Sequence, residues 1–172
     1  MVFRNYSLNG QTFVNNVIPS CGCKEDEPKF LLDLVHFLCG NRKLCVDSIH
    51  PITSELSAKL LNCPIDVGND LYDAEILISG TVTYIPYRCG NQYNQCSCNQ
   101  CPITDNVWAI VNVPISKENI KEIKLGNVIV EPTNVKDCCR VTNAVSLVTS
   151  MQITTSAGGF CGGLSVGKAK AK

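Results

Sequence analysis

The sequence has no excess charge of either sign, few aromatic residues and no long apolar run. Lys plus Arg and Asp plus Glu both number 15, so the formal net charge is zero, and 17% of the residues are charged. A chain without a basic excess lacks the field that holds a polyanion, which argues against general nucleic-acid binding. The longest mostly apolar runs, such as residues 30–38, are too short to span a bilayer. Residues 1–6 have neither the basic start nor the apolar core of a signal peptide, so we expect no secretory leader and no membrane partner.

Sequence motifs of the common enzyme classes are also missing. There is no H-E-x-x-H, no P-loop and no dinucleotide fingerprint. Residues 163–167 match the G-x-S-x-G nucleophile elbow, but that motif requires a following helix and a downstream histidine. Both histidines, His36 and His50, lie upstream, and neither has the sequence context of a catalytic base. We therefore expect the protein not to be an enzyme and to need no cofactor.

Cysteine, by contrast, is abundant. The 12 cysteines are Cys21, Cys23, Cys39, Cys45, Cys63, Cys89, Cys96, Cys98, Cys101, Cys138, Cys139 and Cys161. Neighbouring Cα atoms are about 3.8 Å apart, closer than the roughly 4.4–6.8 Å of a disulfide. The adjacent pair Cys138 and Cys139 is therefore expected not to bond to itself, and each to reach a distant cysteine in the same or another chain. The alternative, twelve thiols buried as small apolar groups, fits poorly with their Gly-, Ser- and Asn-rich surroundings.

Zinc binding is the competing interpretation of the cysteine-rich loop 89–101. Its four cysteines, Cys89, Cys96, Cys98 and Cys101, could supply the thiolates of one tetrahedral zinc. Only Cys98 and Cys101 have the C-x2-C spacing that structural zinc sites normally use twice. A zinc-stabilised binding module therefore stays as the alternative, and metal analysis of gently purified protein would distinguish it from a disulfide framework.

The first 70 residues are predicted to form an arm followed by a helical segment. Residues 1–23 are polar and Asn-rich, and we interpret them as an N-terminal arm with one short strand near residues 11–18. Over 24–70, an acidic stretch with Pro28 resembles a helix start, and apolar residues follow at helical spacing. These residues are Phe30, Leu31, Leu34, Val35 and Leu38, and then Leu56, Leu60 and Leu61. The pattern predicts two short helices, stapled by cysteines at their ends.

From residue 71 onward, apolar residues recur at every second position of the sequence. Four runs alternate in this way, at 75–87, 106–115, 126–131 and 143–155, with Gly, Pro, Asn and Asp between them. Residues 71–156 are therefore predicted to form an antiparallel β-sandwich or small barrel, and 157–172 a Gly-rich flexible tail. The predicted fold class is mainly β: a β-sandwich or jelly-roll-like body with a small helical segment and flexible cysteine-bearing termini.

The position of each cysteine suggests which kind of disulfide it forms. Cysteines of the helical segment and the loop are candidates for bonds within the chain: Cys39, Cys45, Cys63, Cys89, Cys96, Cys98 and Cys101. The arm and tail have too little apolar surface to offset their ordering entropy, so they are expected to order on a partner. Candidates for bonds between subunits are Cys21, Cys23, Cys138, Cys139 and Cys161.

A cysteine-rich, neutral, β-rich chain without a signal peptide resembles the structural proteins of bacterial endospore surfaces. The arm ending in Cys21-Gly22-Cys23 and the β-rich body from about residue 72 are similar to subunits of endospore appendage fibres, which have a jelly-roll body and a cysteine-bearing N-terminal arm. Residues 76–84 and 111–116 also resemble the β domains of spore-coat morphogenetic proteins. The resemblance implies synthesis in the mother-cell cytoplasm and oxidative cross-linking at the spore surface.

The function implied is that of a self-assembling structural subunit of an endospore surface layer or fibre, reinforced by disulfides. Its expected partners are further copies of itself and other spore-surface proteins, with no nucleic acid and no membrane. A phage virion structural protein is a further alternative, because such proteins share the neutrality and the β-rich sequence. Expression of the gene during sporulation alone would favour the spore interpretation.

Overall fold

The computed structural model describes residues 10–20, 27–41, 43–45, 52–86, 88–89, 96–97, 101–137, 140–157 and 167–170. These residues are almost entirely β-strand, so the predicted mainly-β class is confirmed. The strands are β1 (Thr12–Ser20), β2 (Lys29–Phe37), β3 (Thr53–Leu60), β4 (Ile65–Gly68), β5 (Leu71–Tyr84), β6 (Arg88–Cys89), β7 (Cys96–Ser97), β8 (Ile103–Ile115), β9 (Asn119–Leu125), β10 (Ile129–Asp137), β11 (Arg140–Ser156) and β12 (Gly167–Lys170). A three-residue 3-10 turn, Cys39–Asn41, follows β2.

Ten of the strands form two antiparallel five-stranded sheets, each organised around one long strand. In the first sheet, β11 pairs with β2 on one edge and with β10 and then β9 along the other, and β1 extends the sheet beyond β2. In the second sheet, β5 pairs with β8 on one edge and with β3 and then β4 along the other, and β12 lies beyond β3. The short strands β6 and β7 pair separately.

The core lies between the two sheets, and strict alternation along the strands builds it. On β8 every second residue is buried, and those between are exposed. On β5 the predicted inward face is buried: Ile76, Ile78, Val82 and Tyr84. The first sheet contributes Phe30, Leu32, Leu34, Leu147, Met151 and Ile153 to the same core. Each fully buried side chain of this size stabilises the fold by about 1.5–3 kcal/mol.

The two helices predicted within residues 24–70 are wrong, because β2 and β3 occupy these positions. On β2 the buried residues include Phe30, Leu32 and Leu34, while Leu31 is 38% exposed, so the period is two. On β3 Leu56 and the other even-numbered residues from 54 to 60 are buried. Partners distant in sequence decide the outcome, since β2 is hydrogen-bonded to both β1 and β11.

The predicted arm and tail also contribute to the sheets. Residues of the arm form β1, which pairs with β2 from Thr12 opposite His36 to Ser20 opposite Lys29. The predicted flexible tail, 157–172, needs correction at Gly167–Lys170, since this segment pairs with β3 as an edge strand. Strands from all four predicted segments therefore share the two sheets, and the body is not confined to residues 71–156.

Two local features fix the register of the second sheet. Asn69 and Asp70 connect β4 to β5 with φ values of 56° and 60°, as a type I′ hairpin turn requires. Gly80 on β5 lies opposite Leu56, and a Cβ atom there would be 1.9 Å from the carbonyl oxygen of Glu55. The two strands can approach this closely only because position 80 has no side chain.

The two sheets also meet at their edges. On one side β1 lies against β8, and on the other β9 lies against β3 and β12. The first of these seams contains the most polar part of the interior.

Candidate functional site

A buried polar cluster joins the two sheets at the seam between β1 and β8. Its members are Thr12 on β1, His36 on β2, Cys39 in the 3-10 turn, Tyr84 on β5 and Asp105 on β8. His36, Tyr84 and Asp105 are buried, with His36 0% exposed. These three side chains face inward because each occupies an inward position of its strand's alternation, where the sequence otherwise places mostly aliphatic residues.

Asp105 is the acceptor at the centre of this cluster. Its Oδ2 atom is 3.1 Å from His36 Nε2, 3.2 Å from the Tyr84 hydroxyl and 3.3 Å from the Cys39 amide nitrogen, and both of the last two groups donate to it. On the far side of the imidazole, His36 Nδ1 is 2.8 Å from the Thr12 hydroxyl oxygen. The Trp108 amide donates to the same hydroxyl oxygen at 3.4 Å.

One assignment of hydrogens satisfies the whole network. With the proton of His36 on Nε2, the ring donates to Asp105, and Nδ1 accepts from the Thr12 hydroxyl. Thr12 then accepts from the Trp108 amide, so a single chain of hydrogen bonds runs from β8 through β1 and β2 back to β8. Within the described residues, no buried side-chain nitrogen or oxygen lacks a hydrogen-bond partner, as expected for a network that stabilises the fold.

The surroundings keep Asp105 ionised. Burial raises the pKa of its carboxyl group, but the hydrogen bond from His36, together with hydrogen bonds from the Cys39 backbone and side chain, lowers it by more. The net result is a pKa below the ordinary value. Asp105 is therefore a carboxylate at neutral pH and can accept from all its neighbours at once.

Thr12, His36 and Asp105 follow the order hydroxyl, imidazole, carboxylate of a nucleophilic triad. Their accessibility decides whether they can act as one. A triad acts on a substrate that reaches the nucleophile and its base. Here His36 has no exposed surface, and both of its ring nitrogens are engaged within the fold. The Thr12 hydroxyl oxygen also accepts a backbone hydrogen bond. The geometry therefore supports a structural role, in which the cluster joins the two sheets at this seam. We call its five residues, Thr12, His36, Cys39, Tyr84 and Asp105, the polar latch.

The described cysteines divide into half-cystines and thiols. Cys45 and Cys63 are each disulfide-bonded, the first buried and the second exposed. Cys39 and Cys101, both predicted to form disulfides within the chain, carry thiols in this structure. At Cys39 the difference has a physical reason, because its thiol hydrogen-bonds to Asp105 as part of the buried cluster. Cys101 is exposed just before β8.

The alternative zinc site is described only in part. Cys89 on β6 lies opposite Cys96 on β7, and opposed residues of an antiparallel pair have Cα atoms about 4.5–5.5 Å apart, within the range of a disulfide. Cys98 lies outside the described residues. Among the residues that are described, no group of three or more His, Cys, Asp or Glu side chains is placed to hold a metal ion.

The cysteines predicted to link subunits lie outside the described residues. These are Cys21, Cys23, Cys138, Cys139 and Cys161, and the same holds for His50. Asp137 and Arg140, which flank the adjacent pair, are themselves paired across β10 and β11. The assignment of these cysteines to intersubunit bonds therefore stays a prediction.

Large apolar side chains are exposed at three separate places on the body. The first is the hairpin of β4 and β5, the second is a cross-strand pair on β1 and β2, and the third is the outward face of β8. In this order the residues are Ile65, Val67 and Leu71; Ile18 and Leu31; Trp108 and Ile110. Contiguous exposed apolar groups of this kind mark interaction surfaces more often than single ones do.

No protein-family model, curated protein or solved structure matches this chain. Among the described residues there is also no helix with the length and hydropathy of a membrane span.

Proposed function

We propose that this protein is a self-assembling structural subunit of an endospore surface layer or fibre, reinforced by disulfides within and between subunits. The observation that carries this proposal is the exposed apolar surface of the β4–β5 hairpin at the edge of the second sheet. All four residues of Ile65–Gly68 are exposed, and the side chains of Ile65 and Val67 are 63% and 60% exposed.

The β4–β5 hairpin presents its apolar side chains where another chain can reach them. β4 is hydrogen-bonded to β5 on one side, and no described strand pairs with its other side. Soluble proteins usually protect the backbone of such an edge with charged residues, proline, bulges, very short strands or a covering segment. The backbone of β4 has this protection, since the strand is four residues long, carries Asp66 and shifts register before Gly68, so the contact it offers is made by the apolar side chains of Ile65 and Val67.

Charge and cysteine content support the same function. A net charge of zero leaves little long-range repulsion between copies. A contact that joins two different surfaces and does not close on itself produces filaments, whereas a closed symmetry produces rings or shells. A disulfide formed after such contact would make a reversible association covalent, and five of the 12 cysteines are candidates for such a bond.

The test compares assembly before and after oxidation. The full chain is purified in reductant, transferred to an oxidising buffer, and examined by electron microscopy and by electrophoresis in hot detergent without reductant. We expect ordered assemblies and a ladder of covalent oligomers. Discrete monomers after oxidation, together with stoichiometric zinc in the purified protein, would favour the zinc-module alternative and contradict the proposal.

Matched serine variants identify the cysteines that link subunits. The triple variant of Cys21, Cys23 and Cys161 should fold and assemble, but its assemblies should dissociate in hot detergent. Cys101→Ser serves as the control, since Cys101 is an exposed thiol in the body and should be dispensable. If the control loses the ladder and the triple variant keeps it, the links lie elsewhere than in the terminal segments.

A further inference from the structure

The only tryptophan of the chain lies exposed on β8, a strand at the edge of the second sheet. Trp108 is at the centre of β8, on the outward side of the second sheet, and it is 59% exposed. Burying a side chain of this size contributes more to stability than burying almost any other. Leaving the Trp108 side chain in water therefore forgoes stabilising free energy in the isolated chain, and a binding function for this face would account for its position.

The nearest outward neighbours of Trp108 are all uncharged. Ser79 lies directly opposite on β5, with Leu77 and Thr81 at the diagonal positions. Along β8 the outward residues on either side are Asn106 and Ile110. The indole is thus surrounded by hydroxyl, amide and aliphatic groups, and none of the five nearest outward positions carries a charge.

The hydroxyl groups continue across the sheet. Ser57 on β3 lies opposite Ser79, and the two hydroxyl oxygens are 3.3 Å apart. Four residues along β5 from Ser79, the hydroxyl oxygen of Thr83 is 2.9 Å from that of Thr104 on β8. A hydroxyl group carries one donor and two acceptor sites, so a pair bonded to each other keeps capacity for a ligand. The face therefore offers one aromatic ring next to small hydrogen-bonding groups, and the charged side chains of Glu55 and Lys59 stand on β3, two strands away from the ring.

The backbone at Trp108 is held from both sides. On one side β8 pairs with β5 along its whole length, from Tyr72 opposite Ile115 to Tyr84 opposite Ile103. On the other side the Trp108 amide donates to the Thr12 hydroxyl, which belongs to the polar latch. The aromatic ring is therefore presented on a rigid support, which reduces the entropy lost when a ligand binds.

We propose that this face binds a neutral carbohydrate chain, with Trp108 stacking on the apolar side of a sugar ring. A polyanion or a strongly charged protein would find no counter-charge next to the ring. A neutral polyol matches both properties of the face, since its ring hydrogens contact the indole and its hydroxyl groups exchange hydrogen bonds with Ser79, Thr81 and Asn106. This inference does not depend on the proposed function in assembly.

Because the chain has one tryptophan, its fluorescence reports on this face alone. The full chain is titrated with hexasaccharides of β-1,4-glucose, α-1,4-glucose, β-1,4-xylose and β-1,4-N-acetylglucosamine. We expect at least one of them to shift the emission to shorter wavelength and to protect it from quenching by acrylamide. Calorimetry with that sugar should show at least tenfold weaker binding for Trp108→Ala, which corresponds to about 1.4 kcal/mol. Trp108→Tyr should retain part of the affinity.

The control is Ile129→Ala, which removes an equally exposed apolar side chain from the first sheet and should leave sugar binding unchanged. Far-ultraviolet circular dichroism checks that each variant is folded. Three results would overturn the proposal: no response to any of the four sugars, undiminished binding by Trp108→Ala, or a spectral shift that depends on protein concentration without sugar. The last would assign the face to contact with a second copy.

Discussion

Removing the Asp105 carboxylate should destabilise the fold more than any other single change in the polar latch. Asp105 accepts from three groups, His36, Tyr84 and Cys39, at 3.1–3.3 Å. A hydrogen bond to a charged group contributes about 1.5–3 kcal/mol, but bonds within one network are not additive. Removing the shared acceptor leaves the buried donors of His36, Tyr84 and the Cys39 backbone without a partner, at about 1–3 kcal/mol for each unsatisfied group. We therefore expect Asp105→Ala to lower the free energy of unfolding by about 3–5 kcal/mol.

The assay is urea unfolding followed by circular dichroism, with the disulfides kept intact in both states. Tyr84→Phe, which removes a single donor, should cost about 1.5–3 kcal/mol. The variant that combines Asp105→Ala with Tyr84→Phe should lose less free energy of unfolding than the sum of the two single losses, since both changes break the same hydrogen bond. A cost below 1 kcal/mol for Asp105→Ala would show that the cluster does not close the seam, and strict additivity would show that Tyr84 stabilises the fold through another contact.

The same latch predicts a dependence on acid. The pKa of Asp105 is lower in the folded than in the unfolded chain, so its contribution is fully present above the unfolded pKa of about 3.9. The contribution is lost as the pH falls through the folded pKa. The stability difference between the native protein and Asp105→Asn should therefore be constant from pH 5 to 7 and shrink below about pH 4. A difference that stays unchanged in acid would contradict the ionised state.

Three further predictions concern the sheets. Leu32→Ala should lower the free energy of unfolding by about 2–5 kcal/mol and Leu31→Ala by less than about 1 kcal/mol, whereas equal costs would argue against a strand at this position. Gly80→Ala should cost at least about 1–3 kcal/mol by thermal unfolding, because its methyl group meets a backbone carbonyl of β3. Val67→Lys should slow assembly measured by light scattering, while Asn127→Lys at an exposed loop position should not, and equal rates would exclude β4 as a contact surface.

The β-rich half of the fold could be predicted because its alternation is unambiguous. On β8 the inward positions are aliphatic from Val107 to Ile115, and on β5 they are aliphatic or aromatic from Ala74 to Tyr84 apart from Gly80, a pattern that a helix cannot bury. On β2 the residues from Phe30 to Leu34 are nearly all apolar, so periods of two and of 3.6 fit equally well. Pairing with β11, far along the chain, decides between them, and a local pattern contains no information about that partner.

The polar latch was beyond local sequence reasoning for a related reason. His36 and Asp105 are 69 positions apart, and neither stands in a recognisable motif. The one available signal was a polar residue at an inward position of a strand: Asp105 interrupts the aliphatic positions of β8, and His36 does the same on β2. That signal becomes visible only after the strands are assigned correctly, and the predicted helix over residues 30–38 concealed the position of His36.

The pairing of β2 with β11 has a consequence for the order of events during synthesis. Phe37 pairs with Ala144, so the first sheet cannot form until the ribosome has released nearly the whole chain. The second sheet, apart from β12, needs only residues up to Ile115. The hairpin of β1 and β2 is therefore synthesised long before β11, and its apolar face stays exposed until the rest of the first sheet is available. A thiol that oxidised during this interval would trap the chain in that state, so a reducing compartment during translation and an oxidising one afterwards suit this topology.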